Sequence, residues 1–184
     1  MRKMLMGFAA AGIGALAGSA ALAPEAAMAD DAPFATPAEA EAYLIKTLPE
    51  AVAANPKYRA KATGVITRWT LKSIAFNVLD DKSIEVATDE TYDEIKGGAV
   101  KPGTHHARFP IDDVKIEDEV SDWDTTESGG EARGVIFRCK GQPCVHAVWD
   151  GKETLDAWTD IYIQDSATRE RVIAAFRALK TPGQ

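Results

Sequence analysis

Apolar residues recur along this chain with two different periods. Ala40, Tyr43, Leu44, Thr47 and Leu48 fall at helical spacing and share one face. They follow Thr36-Pro37-Ala38-Glu39, which combines an N-cap, a proline at the first helical position and a capping-box glutamate. The pattern predicts a helix from Pro37, stopped or kinked at Pro49 because proline has no amide hydrogen to donate. A short helical turn from Glu50 to Ala54 is expected beyond it. From Tyr58 the period shortens to alternation and β-branched and aromatic residues appear: Val65, Ile66 and Trp69, then Ile74, Phe76 and Val78 on one face. Leu79-Asp80-Asp81-Lys82 reads as a turn into a strand with Ile84 and Val86, which makes a hairpin.

Gly97-Gly98 and Pro102-Gly103 bracket a predicted loop around Val100. A strand from His105 to Phe109 is closed by Pro110, and another holds Val114 and Ile116. Asp118 to Glu131 is acidic and, apart from Val120 and Trp123, poor in apolar residues, which predicts a long exposed loop or an irregular edge. Gly134 to Cys139 and Cys144 to Trp149 flank Lys140-Gly141-Gln142-Pro143, the pattern of two strands joined by a four-residue turn. Trp158, Ile161 and Ile163 mark one more strand. Asp165 or Ser166 then caps a helix to Lys180, with Val172, Ile173, Phe176 and Leu179 on its apolar face and Arg169, Arg171, Arg177 and Lys180 elsewhere. The expected class is α+β: an antiparallel sheet or partly open barrel with an N-terminal helix and a C-terminal capping helix.

This order, several strands and then one terminal amphipathic helix between Tyr58 and Lys180, resembles the pleckstrin-homology-like superfold. The resemblance implies a strongly bent sheet capped by its last helix. Pleckstrin homology domains usually carry a tryptophan in that helix, whereas the aromatic here is Phe176. Their basic phosphoinositide contacts do not carry over. Lys57, Arg59 and Lys61 alternate just before the first strand and read as a solvated strand face.

The start of the chain sets the compartment. Arg2 and Lys3, the apolar run from Met4 to Ala23 and the small-x-small pattern Ala27-Met28-Ala29 read as a secretory signal peptide, residues 1–29, cut before Asp30. Gly7, Gly12, Gly14 and Gly18, with the break at Pro24-Glu25, argue against a permanent membrane span. Residues 30–57 are then a leader and the N-terminal helix, and residues 58–184 a sheet-plus-helix domain. An exported protein, periplasmic or secreted, meets an oxidising environment in which cysteines pair. The formal net charge of −7 becomes slightly more negative once Arg2, Lys3 and Glu25 are removed. Such a chain is repelled by nucleic acid and anionic membrane surfaces, and no stable membrane insertion is expected after signal cleavage.

Against this background few residues offer chemistry. Cys139 and Cys144 are the only cysteines, and a disulfide that pins the turn between them is the expectation; the Cys-x-x-Cys spacing of redox centres is absent. Of the three histidines, His105 and His106 are adjacent in a strand and point to opposite faces, so they cannot share one ion. His146 is expected opposite Phe137 in the hairpin, a packing position, and no spaced ligand motif predicts a metal. Asp122-Trp123-Asp124-Thr125-Thr126 has the start of a calcium loop, but the required glycine and glutamate positions hold Glu127 and Arg133. There is no Gly-x-Ser-x-Gly elbow, Gly-rich phosphate loop or His-Glu-x-x-His helix, so no catalytic or cofactor-binding residue is assigned. Trp69, Trp123, Trp149 and Trp158 can line an apolar cleft, although tryptophan in strands is commonly packing. Trp123, in a polar stretch, is expected to be exposed and is the candidate partner contact.

The expected function is an exported, non-enzymatic binding or protein-interaction module for a protein or a small apolar ligand. The alternative is a small envelope hydrolase or metal-dependent enzyme whose site forms only in three dimensions. A deep pocket where His105 or His106 meets two carboxylates would mark the enzyme, and a shallow apolar groove containing Trp123 the binding module.

Overall fold

Two helices flank one curled antiparallel sheet, a half-barrel of nine strands among the described residues. The computed structural model describes residues 34–53, 57–60, 66–94 and 101–181. Residues 1–29, read above as a signal peptide, and Ala54, Lys61, Val65, and Gly97-Gly98 with Val100 lie outside them. In chain order the elements are α1 (Pro37–Ala53), β1 (Lys57–Ala60), β2 (Ile66–Val78), β3 (Ser83–Glu94), β4 (Lys101–Pro110), β5 (Val114–Asp124), β6 (Glu131–Cys139), β7 (Val145–Trp149), β8 (Lys152–Asp156), β9 (Trp158–Tyr162) and α2 (Ser166–Ala178). A single 3-10 turn, Ile111–Asp113, joins β4 to β5.

Helix α1 starts where its capping signals lie. The Thr36 hydroxyl accepts the Glu39 amide at 3.2 Å, and the Glu39 carboxylate accepts the Ala35 amide at 2.9 Å. Pro49 neither stops the helix nor separates Glu50 from it, because it lies inside the continuous span. Pro49 and Ile45, whose carbonyl loses its partner, are both on the exposed face, while Leu44, Leu48 and Val52 are buried one turn apart. The freed carbonyl is on the solvent side, and apolar burial of about 1.5–3 kcal/mol per large side chain outweighs the proline cost of about 3 kcal/mol.

Strands β2 and β3 form the expected hairpin, with Val78 opposite Ile84. A β-bulge between Leu71 and Ser73 shifts the facing, so that Trp69 and Leu71 point inward before it and Phe76 after it. The bulge explains why the apolar alternation changes parity between Trp69 and Ile74. Pro102 and Gly103 belong to β4 and not to a loop. Only His105 to Arg108 of β4 pair with β7, so Pro102 sits where one side of the strand is unpaired and a missing donor costs little. Asp118 to Asp124 continue β5, with an irregular register between Val120 and Asp124, and the expected loop is confined to residues 125–130. Arginines from other elements neutralise the first two acids of this stretch: Arg133 lies 3.1 Å and Arg169 2.9 Å from Asp118, and Arg138 lies 2.7 Å from Glu119.

The strands on either side of Lys140-Gly141-Gln142-Pro143 are not a hairpin. Along the sheet the order is β8-β7-β4-β3-β2-β1-β5-β6-β9, which sets β6 and β7 near opposite ends. Strand β6 pairs with β5 and β9, and β7 with β4 and β8. The curl brings the two ends together, and Ala157 alone joins β8 to β9. Cys139 donates its amide to the Ala157 carbonyl at 2.9 Å, and Cys144 to the Asp156 carbonyl at 3.2 Å. The cysteines sit at disulfide distance, their Cα atoms 5.8 Å apart. They therefore pin the short connection between β6 and β7, as expected, but that connection spans the closure of the sheet and is not a hairpin turn. His146 is opposite Arg108 and Leu155, exposed, and not beside Phe137.

Helix α2 is capped by Asp165, whose carboxylate accepts the Thr168 amide at 2.8 Å. Phe176 packs edge-on against Phe137 at 4.7 Å and Phe76 at 5.6 Å between ring centroids. Val172, Phe176, Leu44 and Leu48 belong to the same buried core, so both helices fill one side of the curled sheet. Arg169, expected away from the apolar face, is buried and donates to the carbonyls of Ile163 and Gln164, both at 3.0 Å.

Candidate functional site

The concave face of the sheet encloses a cavity of about 490 Å³. All four tryptophans reach it: Trp69 from β2, Trp123 from β5, Trp149 from β7 and Trp158 from β9. Antiparallel register explains the grouping. Lys57 of β1 is opposite Trp69, Trp69 is opposite Tyr92 of β3, and His105 of β4 is opposite Trp149. Side chains at paired positions stand on the same face of a sheet, so residues remote in sequence become neighbours.

The polar groups of the cavity form two clusters. Glu90 of β3 is buried, with 5% of its surface exposed. Its Oε2 accepts the Trp69 indole N–H and the Tyr92 hydroxyl, the latter at 2.6 Å, and its Oε1 accepts the Thr88 hydroxyl at 2.5 Å. Three donors thus hold one carboxylate. Burial and the bond to Glu90 push the Tyr92 phenol far above its ordinary range, so it remains a donor at neutral pH. Tyr92 crosses β4 at Gly103, where a Cβ would stand 2.7 Å from its ring, and that close approach requires glycine.

Lys57 builds the second cluster. Only 6% of it is exposed, and its ammonium lies 4.4 Å from the Trp69 centroid, 5.1 Å from Trp123 and 5.7 Å from Tyr162. A cation facing several rings is attracted by their negative faces, most strongly where water is excluded. Asp160 is its ion-pair partner at 3.9 Å. The reading of Lys57 as part of a solvated strand face is therefore overturned, because β1 turns it into the curl. Arg59 lies 4.6 Å from the Trp123 centroid.

His105 stacks flat on Trp149, with centroids 3.7 Å apart and planes 9° from parallel. Burial holds its pKa below the ordinary value, against the opposite pull of Glu90 and Asp160, so the ring is neutral at pH 7. His106 points to the outer face and meets Glu85 at 3.0 Å, so the two adjacent histidines do separate across the sheet. Trp123 is half-buried between Lys57 and Arg59. The exposed tryptophans are instead Trp149 and Trp158, at 42% and 47%, and they stand at the mouth. The acidic context of Trp123 had pointed to solvent; the cations of β1, opposite that stretch of β5, cover it.

The arrangement defines a class of protein: an α+β half-barrel with an aromatic, partly open internal cavity that carries a buried ammonium and a buried carboxylate. Comparisons with protein-family models, curated proteins and solved structures give no match for the chain. Sequence reading had singled out the four tryptophans and His105, had placed Lys57 on a solvated face, and had passed over Glu90 and Tyr92. The signal that could have found Glu90 is its period: it stands at an inward position of an alternating strand, after Ile84 and Val86.

Proposed function

We propose that the protein is an exported, non-enzymatic binding module whose cavity takes a small, largely apolar ligand. The observation that carries this reading is the convergence of all four tryptophans on one cavity of about 490 Å³, two of them exposed at its mouth. That volume falls within the ~300–1,000 Å³ of small-molecule sites, which combine apolar walls with a few placed polar groups. Export rests on the signal peptide read over residues 1–29. The cysteine pair at disulfide distance is compatible with it. So is the finding that, among the described residues, no helix is long and apolar enough to cross a membrane. The resemblance to the pleckstrin-homology-like superfold enters the proposal as a bent-sheet frame that presents a binding site. Titration of the purified protein with the neutral fluorophore N-phenyl-1-naphthylamine tests the reading. Saturable binding with energy transfer from tryptophan, weakened in Trp149→Ala, is expected, and no saturable binding to the folded protein would overturn it.

A second reading, a small hydrolase, is favoured by the criterion of pocket shape, since the site is an internal cavity and not a shallow groove, and neutral His105 shares it with two carboxylates, Glu90 and Asp160. Both Glu90 oxygens are already engaged by donors and the His105 ring lies on Trp149, so the binding reading is preferred. Turnover of p-nitrophenyl esters that is lost in His105→Gln would reverse that preference.

A further inference from the structure

We propose that the cavity selects small apolar monocarboxylates, with the ligand carboxylate on the Lys57 ammonium and its apolar body against the tryptophans. The inference rests on the binding-module reading and names the ligand class for the same cavity. Lys57 is the reason. Its side chain is more than nine-tenths buried, lines the cavity and offers three N–H donors. Among the described residues its ion-pair partner is Asp160 at 3.9 Å, which is beyond hydrogen-bond distance. Ring faces at 4.4 Å, 5.1 Å and 5.7 Å fix the ammonium in place without accepting its hydrogen bonds in the manner of an oxygen. With Asp160 beyond hydrogen-bond distance, a ligand carboxylate can take the N–H groups of this ammonium in charge-assisted hydrogen bonds.

Lys57 and Arg59 share the cavity with Glu90, Asp156 and Asp160, and these three carboxylates are already engaged, Asp160 by Lys57 itself. The position that a ligand cation would take among Trp69, Trp123 and Tyr162 is filled by Lys57 itself. Glu90, the most buried carboxylate of the cavity, has both oxygens saturated by Trp69, Tyr92 and Thr88. Asp156 accepts the Thr154 hydroxyl at 2.9 Å.

Isothermal titration of the purified protein with decanoate, decanol and decyltrimethylammonium, which share one tail and differ in headgroup, tests the inference. Decanoate is expected to bind at least about tenfold more tightly than decanol, as a charge-assisted hydrogen bond allows, and the cation most weakly. Lys57→Met should reduce decanoate to the level of decanol and leave decanol unchanged, while Lys57→Arg should keep the preference. Decanol or the cation binding as tightly as decanoate overturns the inference and leaves the apolar-cavity reading standing. So does a Lys57→Met protein that keeps the preference. If none of the three probes binds and N-phenyl-1-naphthylamine also fails, the functional reading itself falls. Should Lys57→Met not fold, the headgroup order of the unmodified protein decides alone.

Discussion

Replacing Glu90 by glutamine and by alanine should give two clearly different losses of stability, because its two oxygens have unequal duties. Oε2 serves Trp69 and Tyr92, and Oε1 serves Thr88. In Glu90→Gln the amide carbonyl can occupy the Oε2 position and keep both of those donors. Its NH₂ then faces the Thr88 hydroxyl, which can turn to the His105 carbonyl, 3.4 Å away. What is lost is the charge assistance, about 1 kcal/mol for bonds that drop from the ionic to the neutral range. Glu90→Ala removes every acceptor. Tyr92 is half-buried and can find water, and Thr88 can turn, so the unrelieved donor is the Trp69 indole, on a residue with 5% exposure. An unsatisfied buried donor costs about 1–3 kcal/mol, and the lost charge-assisted bonds add to it, offset by no longer burying a carboxylate. The net expectation is a loss of about 2–4 kcal/mol for alanine against about 1 kcal/mol for glutamine. Urea unfolding followed by tryptophan fluorescence reads this directly, since a slope of about 2 kcal/mol per molar converts the alanine loss into a midpoint shift of about 1–2 M. Equal midpoints for the two variants would refute the claim that Glu90 is held as an acceptor for three donors.

Two further predictions follow from His105 and the cysteine pair. His105 has a folded-state pKa below its ordinary value, so the unfolded chain takes up the proton first, and stability is lost as pH falls below the ordinary imidazole range and through the lower folded value. The charged groups that act on it, Glu90, Asp160 and Lys57 in the cavity and His106 through the field across the sheet, are unchanged in His105→Gln, so the urea midpoint of the variant should fall less between pH 7.5 and pH 5.5 than that of the parent; parallel curves contradict the reasoning. Thiol titration under denaturing, non-reducing conditions should find no free thiol at Cys139 and Cys144. Serine at both positions should cost about 2 kcal/mol on the chain-entropy model for so short a loop, and two free thiols would sink the pairing.

What could be read directly from the chain was what neighbouring residues decide among themselves. The capping box at Thr36 and Glu39 and the Asp165 cap depend on residues three positions apart, so the helix starts were legible. The hairpin of β2 and β3 needs one turn and was legible for the same reason, whereas its bulge between Leu71 and Ser73 was not read. Asp118 to Asp124 looked like a loop because the arginines that neutralise this part of β5 are on β6 and α2. Cys139 and Cys144 looked like the two sides of a hairpin because they are close in sequence, while each strand takes its ladder partners elsewhere.

The sequence by itself determined the mixed α+β class, the helix boundaries at their capped ends, the opposed faces of His105 and His106, and the nearness of the two cysteines. All of these follow from local periodicity, capping and chain connectivity. Only the tertiary structure decided that the sheet curls until β8 and β9 are joined by Ala157, and that Trp69, Trp123, Trp149 and Trp158 share one cavity with Lys57 and Glu90. Strand order and register are set by which apolar faces bury each other across the whole chain, and residues that far apart leave no local pattern to read.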